Sequence, residues 1–156
     1  KSLLQADIKV FKSLYNQADI IVLASGKFTP VCVKEDLLKI NEDKKELFYV
    51  GTKNFGYNLN WIMRLKSESR IKKYNKILDD VIEQEKLMKQ VIPKSNYISL
   101  MDTLTYKNRV QITSENGILF SPDGTHLTKE GAIFIGKNSV ENSRLGEILK
   151  SYSIKD

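Results

Sequence analysis

Three short apolar runs, separated by helical patterns, constrain the fold of this chain more than any other feature of its sequence. The run Ile20–Ala24 is apolar at every position, and it is followed by Ser25 and Gly26. A β-branched run without polar alternation is typical of a central strand in a parallel sheet that is buried on both faces. Similar runs at residues 46–50 and 97–101 predict a second and a third strand.

Helical spacing of apolar residues fills the intervals between these strands. It predicts helices over residues 2–17, 34–41, 69–91 and 128–150. Pro93 ends the longest of these patterns, and Thr128 is a suitable N-cap for the last one. Residues 103–117 have no clear period, although a small hairpin through residues 115–117 is compatible with their Glu-Asn-Gly sequence. Alternating helices and parallel strands predict one α/β domain over residues 1–156, with helices on both faces of the sheet.

Composition narrows the function classes. The net charge is +6, but the lysines are interleaved with acidic residues, which favours a solvated surface over a nucleic-acid interface. No run of about 18 apolar residues is present, so the sequence predicts no membrane-spanning helix. The single cysteine, Cys32, excludes an internal disulfide and a thiolate cluster, and its position between Val31 and Val33 favours a buried structural thiol. With only one histidine, the sequence predicts neither a metal site nor a cofactor.

That histidine, His126, follows Asp123 by three residues, with Gly124 between them. A tight turn with this spacing can bring the carboxylate under the imidazole, where it accepts the Nδ1 proton. Nε2 is then free to take a proton from a nucleophile. A Pro-Asp-Gly turn followed by a surface histidine without a catalytic role has the same spacing. Spacing alone therefore leaves both interpretations open.

The wider segment, Asn116–Ala132, resembles the last motif block of the SGNH (GDSL-type) hydrolase superfamily. It is most similar to the form found in SGNH domains attached to bacterial membrane acyltransferases that O-acetylate surface polysaccharides. The residues in register with that block are Asp123, His126, Leu127, Thr128, Gly131 and Ala132. Residues 19–24 and 97–102 resemble, more loosely, the strand of the family's third block and the strand before its catalytic loop.

The resemblance implies a flavodoxin-like three-layer α/β/α sandwich with a parallel sheet, and acyl transfer from an ester through a Ser-His-Asp site. His126 would be the general base and Asp123 its orienting partner. The implied partners are an acyl ester and a cell-surface carbohydrate, and a membrane acyltransferase domain in the same protein is compatible with them. The family would place such a domain on the periplasmic or extracytoplasmic side of a bacterial membrane.

Two blocks of the family pattern are missing. The chain contains no Gly-Asp-Ser nucleophile block, and the strand at 20–24 ends in Ser25-Gly26 instead of the Gly-x-Asn-Asp oxyanion block. One explanation is that the chain is the C-terminal part of an SGNH domain, with the first strand and its serine upstream; this is the expectation. The alternative is a non-catalytic carbohydrate- or protein-binding module that retains the fold. Ser25, Gly26 and Asn54 are the candidate oxyanion donors.

The loop around Asn54 leaves two further alternatives open. Asn54 could be a left-handed turn residue among glycines instead of a donor. Phe55, Tyr57 and Trp61 lie in or near the same loop, where aromatic faces could bind sugar rings. Ordinary core packing is the interpretation that we favour for these three aromatic residues.

Overall fold

The computed structural model of the chain describes residues 12–24, 31–35, 37 and 45–153. The strands are β1 (Ile20–Ala24), β2 (Glu46–Val50), β3 (Tyr74–Lys76), β4 (Tyr97–Ile98), β5 (Thr105–Tyr106) and β6 (Arg109–Gln111). The helices are α1 (Asn60–Met63), α2 (Asp79–Val91), α3 (Leu100–Leu104), α4 (Lys129–Ile135) and α5 (Arg144–Ser153). Shorter helical turns lie at Ser67–Arg70, Lys94–Asn96 and Gly136–Val140, and residues 12–17 and 31–35 are also helical.

A parallel sheet with the strand order β1-β2-β4 contains all three predicted strand positions. β1 and β2 pair along their whole length, from Ile20 with Glu46 to Ala24 with Val50. Within the described residues, however, β1 has β2 as its one strand neighbour, and Val22 is 46% exposed. Among the described residues, this run is therefore neither central nor buried, contrary to the prediction. The prediction of a mixed α/β class is confirmed.

Both faces of β2 are covered by apolar side chains. Phe48 belongs to one buried cluster, together with Ile135 and Leu145 of the C-terminal helices. Tyr49 belongs to a second cluster, together with Met88 of α2. Since successive side chains of a strand point to opposite faces, helices lie on both sides of this sheet.

The predicted helix over 69–91 is wrong in its first half. Lys72 has a φ of +46°, which interrupts a right-handed helix, and α2 begins only at Asp79. The intervening strand β3 pairs antiparallel with β6, for example Tyr74 with Gln111. These partners lie far along the chain, so tertiary pairing overrides the local helical spacing.

Residues 103–117, which lack a clear period, contribute most of a second sheet. Its antiparallel order is β3-β6-β5. Lys107 and Asn108 both have positive φ, which is the geometry of a type I′ turn between β5 and β6. A further antiparallel bridge joins Thr113 to Leu119, so the predicted hairpin through residues 115–117 is confirmed.

The third parallel strand is shorter than predicted. β4 ends at Ile98 because Ser99 Oγ accepts a hydrogen bond from Asp102 N, which caps α3. The last predicted helix does begin after Thr128, whose Oγ1 accepts from Gly131 N at 3.1 Å. It does not run unbroken to residue 150, since the π-helical turn Gly136–Val140 separates α4 from α5.

Two remaining expectations concern single residues and membrane spans. Cys32 is exposed, whereas its neighbour Val33 is buried, so the prediction of a buried thiol is wrong. Val33, and not Cys32, packs into the buried cluster that contains Tyr49 and Met88, so Cys32 lies on the exposed side of this helical segment. No described helix combines the length and the apolar character that crossing a bilayer requires.

Candidate functional site

The Asp123–His126 segment is a loop whose two ends are tied together by hydrogen bonds. Phe120, immediately before it, is fully buried, and its carbonyl accepts from Thr128 N at 3.0 Å. Thr128 also donates from Oγ1 to Leu119 O at 2.6 Å while it caps α4. The loop is therefore held between Leu119, which pairs with Thr113, and α4, which follows it.

Within this loop the two oxygens of Asp123 have different partners. Oδ1 accepts from three nearby donors, Thr125 N at 2.9 Å, Thr125 Oγ1 at 3.2 Å and His126 N at 2.8 Å. Ser121 Oγ lies 3.4 Å from the same oxygen. Oδ2 faces His126 Nδ1 at 2.6 Å. One oxygen thus orients the carboxylate in the loop, and the other is left to orient the imidazole.

This arrangement defines what His126 can do chemically. When Nδ1 donates its proton to Asp123, the neutral ring has its lone pair on Nε2 and can accept a proton there. The His126 side chain is 82% exposed. A hydroxyl or thiol that approaches from solvent therefore has access to the ring.

Three hydrogen bonds hold the pKa of the Asp123 carboxyl well below its ordinary value of 3.8. The largest contribution is the bond from the His126 ring, followed by the backbone N–H groups of His126 and Thr125. All three stabilise the ionised carboxylate over the neutral acid. The carboxylate therefore stays charged at neutral pH.

We expect the pKa of the Asp123 carboxyl, followed by ¹³C carboxyl NMR, to lie well below its ordinary value of 3.8. Because the folded-state pKa is lowered, the stabilisation is complete above the ordinary pKa of 3.8 and is lost as the pH falls through the folded value. The His126→Ala variant lacks the hydrogen bond from the ring, which is the largest cause of the lowered pKa. The pKa of Asp123 should therefore move back toward 3.8 in this variant. A midpoint at or above 3.8 in the unaltered protein contradicts this description of the site.

The loop that follows β2 contacts this turn directly. Phe55 N donates to Gly124 O at 2.9 Å. Gly124 has a φ of +93°, and a Cβ at this position would lie 2.9 Å from Gly56 O. Glycine is required there both by its backbone conformation and by the close approach of the two loops. The Asp123–His126 pair thus lies at the carboxyl end of β2, where parallel sheets commonly have their sites.

Asn54 lies in this second loop and is half-buried. Its Oδ1 accepts from Gly56 N at 2.8 Å, which stabilises the turn. Its φ is not positive, so the left-handed conformation considered from the sequence belongs instead to Gly56 and Asn58. With Oδ1 engaged in the loop, the amide has its Nδ2 donors for another group. The other two candidate donors, Ser25 and Gly26, lie outside the described residues.

The three aromatic residues of the region do not share one environment. Phe55 is fully buried and packs edge-on against Phe120, with 6.5 Å between the ring centroids. Tyr57 is 78% exposed, and Trp61 is also exposed. Core packing is therefore right for Phe55 and wrong for Tyr57 and Trp61. Tyr57 follows the turn at Gly56, whose φ is +80°, and Trp61 lies on α1, where Ile62 is the buried residue.

The sequence analysis missed two residues that hold the carboxylate. Ser121 is fully buried, and its Oγ accepts from Gly124 N at 2.9 Å. Thr125 binds Asp123 through both its backbone and its side chain. The sequence did contain a signal for them, because hydroxyl residues stand two positions before and two positions after Asp123. Such residues commonly form hydrogen bonds within turns.

Other features of the described region lie apart from this site. A cavity of about 760 Å³ runs beside β4 and is lined partly by Tyr97, Ser99 and Arg144. None of the predicted site residues lines it, so its size alone does not make it the catalytic centre. Among the residues that the structure describes, no group of three or more His, Cys, Asp and Glu side chains could hold a metal ion.

We compared the chain with models of protein families, with curated proteins and with solved structures, and none of the three comparisons finds a match.

Proposed function

We propose that the chain is an SGNH-type ester hydrolase or O-acyltransferase domain of a bacterial protein, acting on acetylated cell-surface carbohydrate. The observation that supports this most is the 2.6 Å contact between Asp123 Oδ2 and His126 Nδ1, with Oδ1 held separately by the loop. A turn that merely ended in a surface histidine would not need this division between the two oxygens. The extracytoplasmic location and the membrane acyltransferase domain belong to the same proposal.

In the proposed mechanism a serine hydroxyl passes its proton to His126 Nε2 while its oxygen attacks the ester carbonyl carbon. The negative charge that develops on the carbonyl oxygen is stabilised by hydrogen-bond donors. Asn54 Nδ2 is the described candidate, and Ser25 and Gly26 are the others. The imidazolium then returns the proton to the leaving alkoxide as the carbon–oxygen bond breaks. Water or a sugar hydroxyl finally attacks the acyl-serine, again with His126 as base.

The nucleophilic serine is proposed to lie on a strand upstream of residue 1, as in a flavodoxin-like sandwich. Support comes from β1, whose apolar residues suit a central strand although Val22 is partly exposed. A further parallel strand beside β1 would end at the same edge of the sheet as β2. That edge carries the loop that contacts Gly124.

Treating the full-length protein with a fluorophosphonate probe and with 4-nitrophenyl acetate tests the proposal. We expect stoichiometric labelling of one serine N-terminal to residue 1, and ester turnover that the labelling abolishes. Labelling of Ser25 instead would contradict the proposed position of the nucleophile. A protein that is neither labelled nor able to cleave the ester would contradict the enzymatic function itself.

The described residues also contain one observation in favour of a non-catalytic carbohydrate- or protein-binding module. Ser121 is the serine nearest the pair in sequence, but its Oγ is engaged with Gly124 N and Asp123. The Ser121 hydroxyl therefore binds the Asp123 carboxylate and is not the group that would give its proton to His126 Nε2. A full-length protein that binds acetylated polysaccharide without releasing acetate would support this second candidate.

A further inference from the structure

A second cavity opens beside the loop that contacts the Asp123–His126 turn. Its volume is about 470 Å³, within the range of small-molecule sites. It is lined by Tyr57 and by the segment from Asn75 to Asp80. The cavity thus combines an aromatic ring with carboxylates, an amide and an ammonium group.

The Tyr57 ring is exposed although its backbone is firmly held. Asn75 Nδ2 donates to the carbonyls on both sides of the turn, Phe55 O and Tyr57 O, each at 3.0 Å. Gly56 between them has a φ of +80°, and a Cβ there would lie 2.4 Å from Lys76 O. With Phe55 buried on one side and Asn75 on the other, the loop presents the ring to solvent from a rigid base.

The charged groups that line the cavity with Tyr57 are not engaged in ion pairs. Lys76, Asp79 and Asp80 form no salt bridge within the residues that the structure describes. Asp80 Oδ1 accepts from Val81 N at 2.9 Å, so its Oδ2 remains for another donor. The lining of the cavity therefore offers carboxylate acceptors and one ammonium donor together with the aromatic ring of Tyr57.

This combination fits a sugar better than an anion. A pyranose presents C–H groups on one face, which pack on an aromatic ring, and hydroxyl groups at its rim, which bind carboxylates and ammonium groups. Two carboxylates against one lysine give the cavity a local charge of −1, in a chain whose net charge is +6. The residues that line this cavity therefore favour a neutral ligand over a phosphate or sulfate.

We infer that Tyr57 and the Asn75–Asp80 segment form a subsite for a neutral sugar residue. Phe55 N bonds to Gly124 O at 2.9 Å, so the loop that bears Tyr57 lies against the loop that bears His126. The subsite binds the carbohydrate next to the pair. Its role in presenting an acyl-bearing hydroxyl rests on the proposed function, whereas sugar binding itself does not.

Saturation-transfer difference NMR on the full-length protein, with chitotriose and cellotriose as probes, tests the inference. We expect at least one trisaccharide to bind with a Kd of about 1–10 mM. Tyr57→Ala should weaken that binding at least about tenfold because the stacking face is lost. Tyr152→Ala is the matched control, since Tyr152 is also exposed but lies on α5, and it should leave the Kd unchanged.

Three results would overturn the subsite. They are no saturation transfer to either sugar at about 20 mM, binding that Tyr57→Ala leaves unchanged, and tighter binding of glucosamine than of N-acetylglucosamine, which would indicate a cation site. The His126→Ala variant separates this inference from the proposed function. Sugar binding that persists there while ester turnover is lost supports both. Turnover that survives in His126→Ala contradicts the proposed function and leaves the subsite intact.

Discussion

Replacing Asp123 with asparagine is expected to lower kcat for ester hydrolysis by the full-length protein about 10⁴-fold. The asparagine Oδ1 can still accept from Thr125 and from the His126 backbone, so the loop keeps its shape. Its Nδ2, however, replaces Oδ2 and turns a donor toward His126 Nδ1. The ring must then protonate at Nε2, which removes the lone pair that accepts the serine proton in the proposed mechanism. The rate falls because the tautomer is wrong, although the pair is still in place.

The control for this change is Asp102→Asn, which alters an exposed carboxylate that pairs with Lys89. We expect its kcat to stay within about twofold, since surface ion pairs contribute little. His126→Ala should be at least as slow as Asp123→Asn. The double variant should be no slower than His126→Ala, because the two residues act as a unit. A kcat in Asp123→Asn within about tenfold of the unaltered protein would show that this carboxylate does not orient the base.

The strands of the parallel sheet were predictable because their signal is local. β1 is apolar at every position and β2 is apolar after Glu46, and the two strands are followed by Ser25 and Gly51. The segment before α2 was not predictable from its own sequence, because β3 forms by pairing with residues elsewhere in the chain. Lys73 N bonds to Thr113 Oγ1, and Tyr74 pairs with Gln111. The helical spacing of a segment does not reveal such contacts, which join residues about forty positions apart in the chain.

The candidate site likewise has one contact that the sequence predicts and others that depend on the tertiary structure. The spacing of Asp123 and His126 predicts their contact, since three residues with a glycine are enough to form the turn. The contact between Phe55 and Gly124 could not be predicted, because it requires the relative positions of two loops. The exposure of Tyr57 also depends on this arrangement. Its neighbour Phe55 has similar chemistry but a buried position, and only the turn between them separates the two.

The buried residue that most directly supports the site is Phe120. Its ring stacks on Phe134 at 4.6 Å, and a Cβ at Gly131 would lie within 2.2 Å of its carbonyl oxygen. Its backbone N–H bonds to Ile112 O at 2.9 Å. This residue therefore joins the second sheet, the core and α4, immediately before the loop that contains Asp123.

We expect Phe120→Ala to lower the free energy of unfolding by about 3–5 kcal/mol, because it removes a fully buried ring and leaves a cavity. Phe120→Leu retains most of the apolar volume and should cost about 1–2 kcal/mol. Ile118→Ala, two positions earlier and about half exposed, should change stability by less than about 1 kcal/mol. Urea unfolding followed by circular dichroism measures all three variants.

Because Phe120 O accepts from Thr128 N, the same substitution should also loosen the loop. Amide hydrogen exchange at Thr128 and Gly124 should accelerate in Phe120→Ala by more than in Ile118→Ala. A loss below about 1.5 kcal/mol in Phe120→Ala would mean that the surrounding side chains close the cavity. Unchanged exchange at Gly124 in a variant that is otherwise destabilised would show that the loop is held by Thr128 and Phe55 without the ring of Phe120.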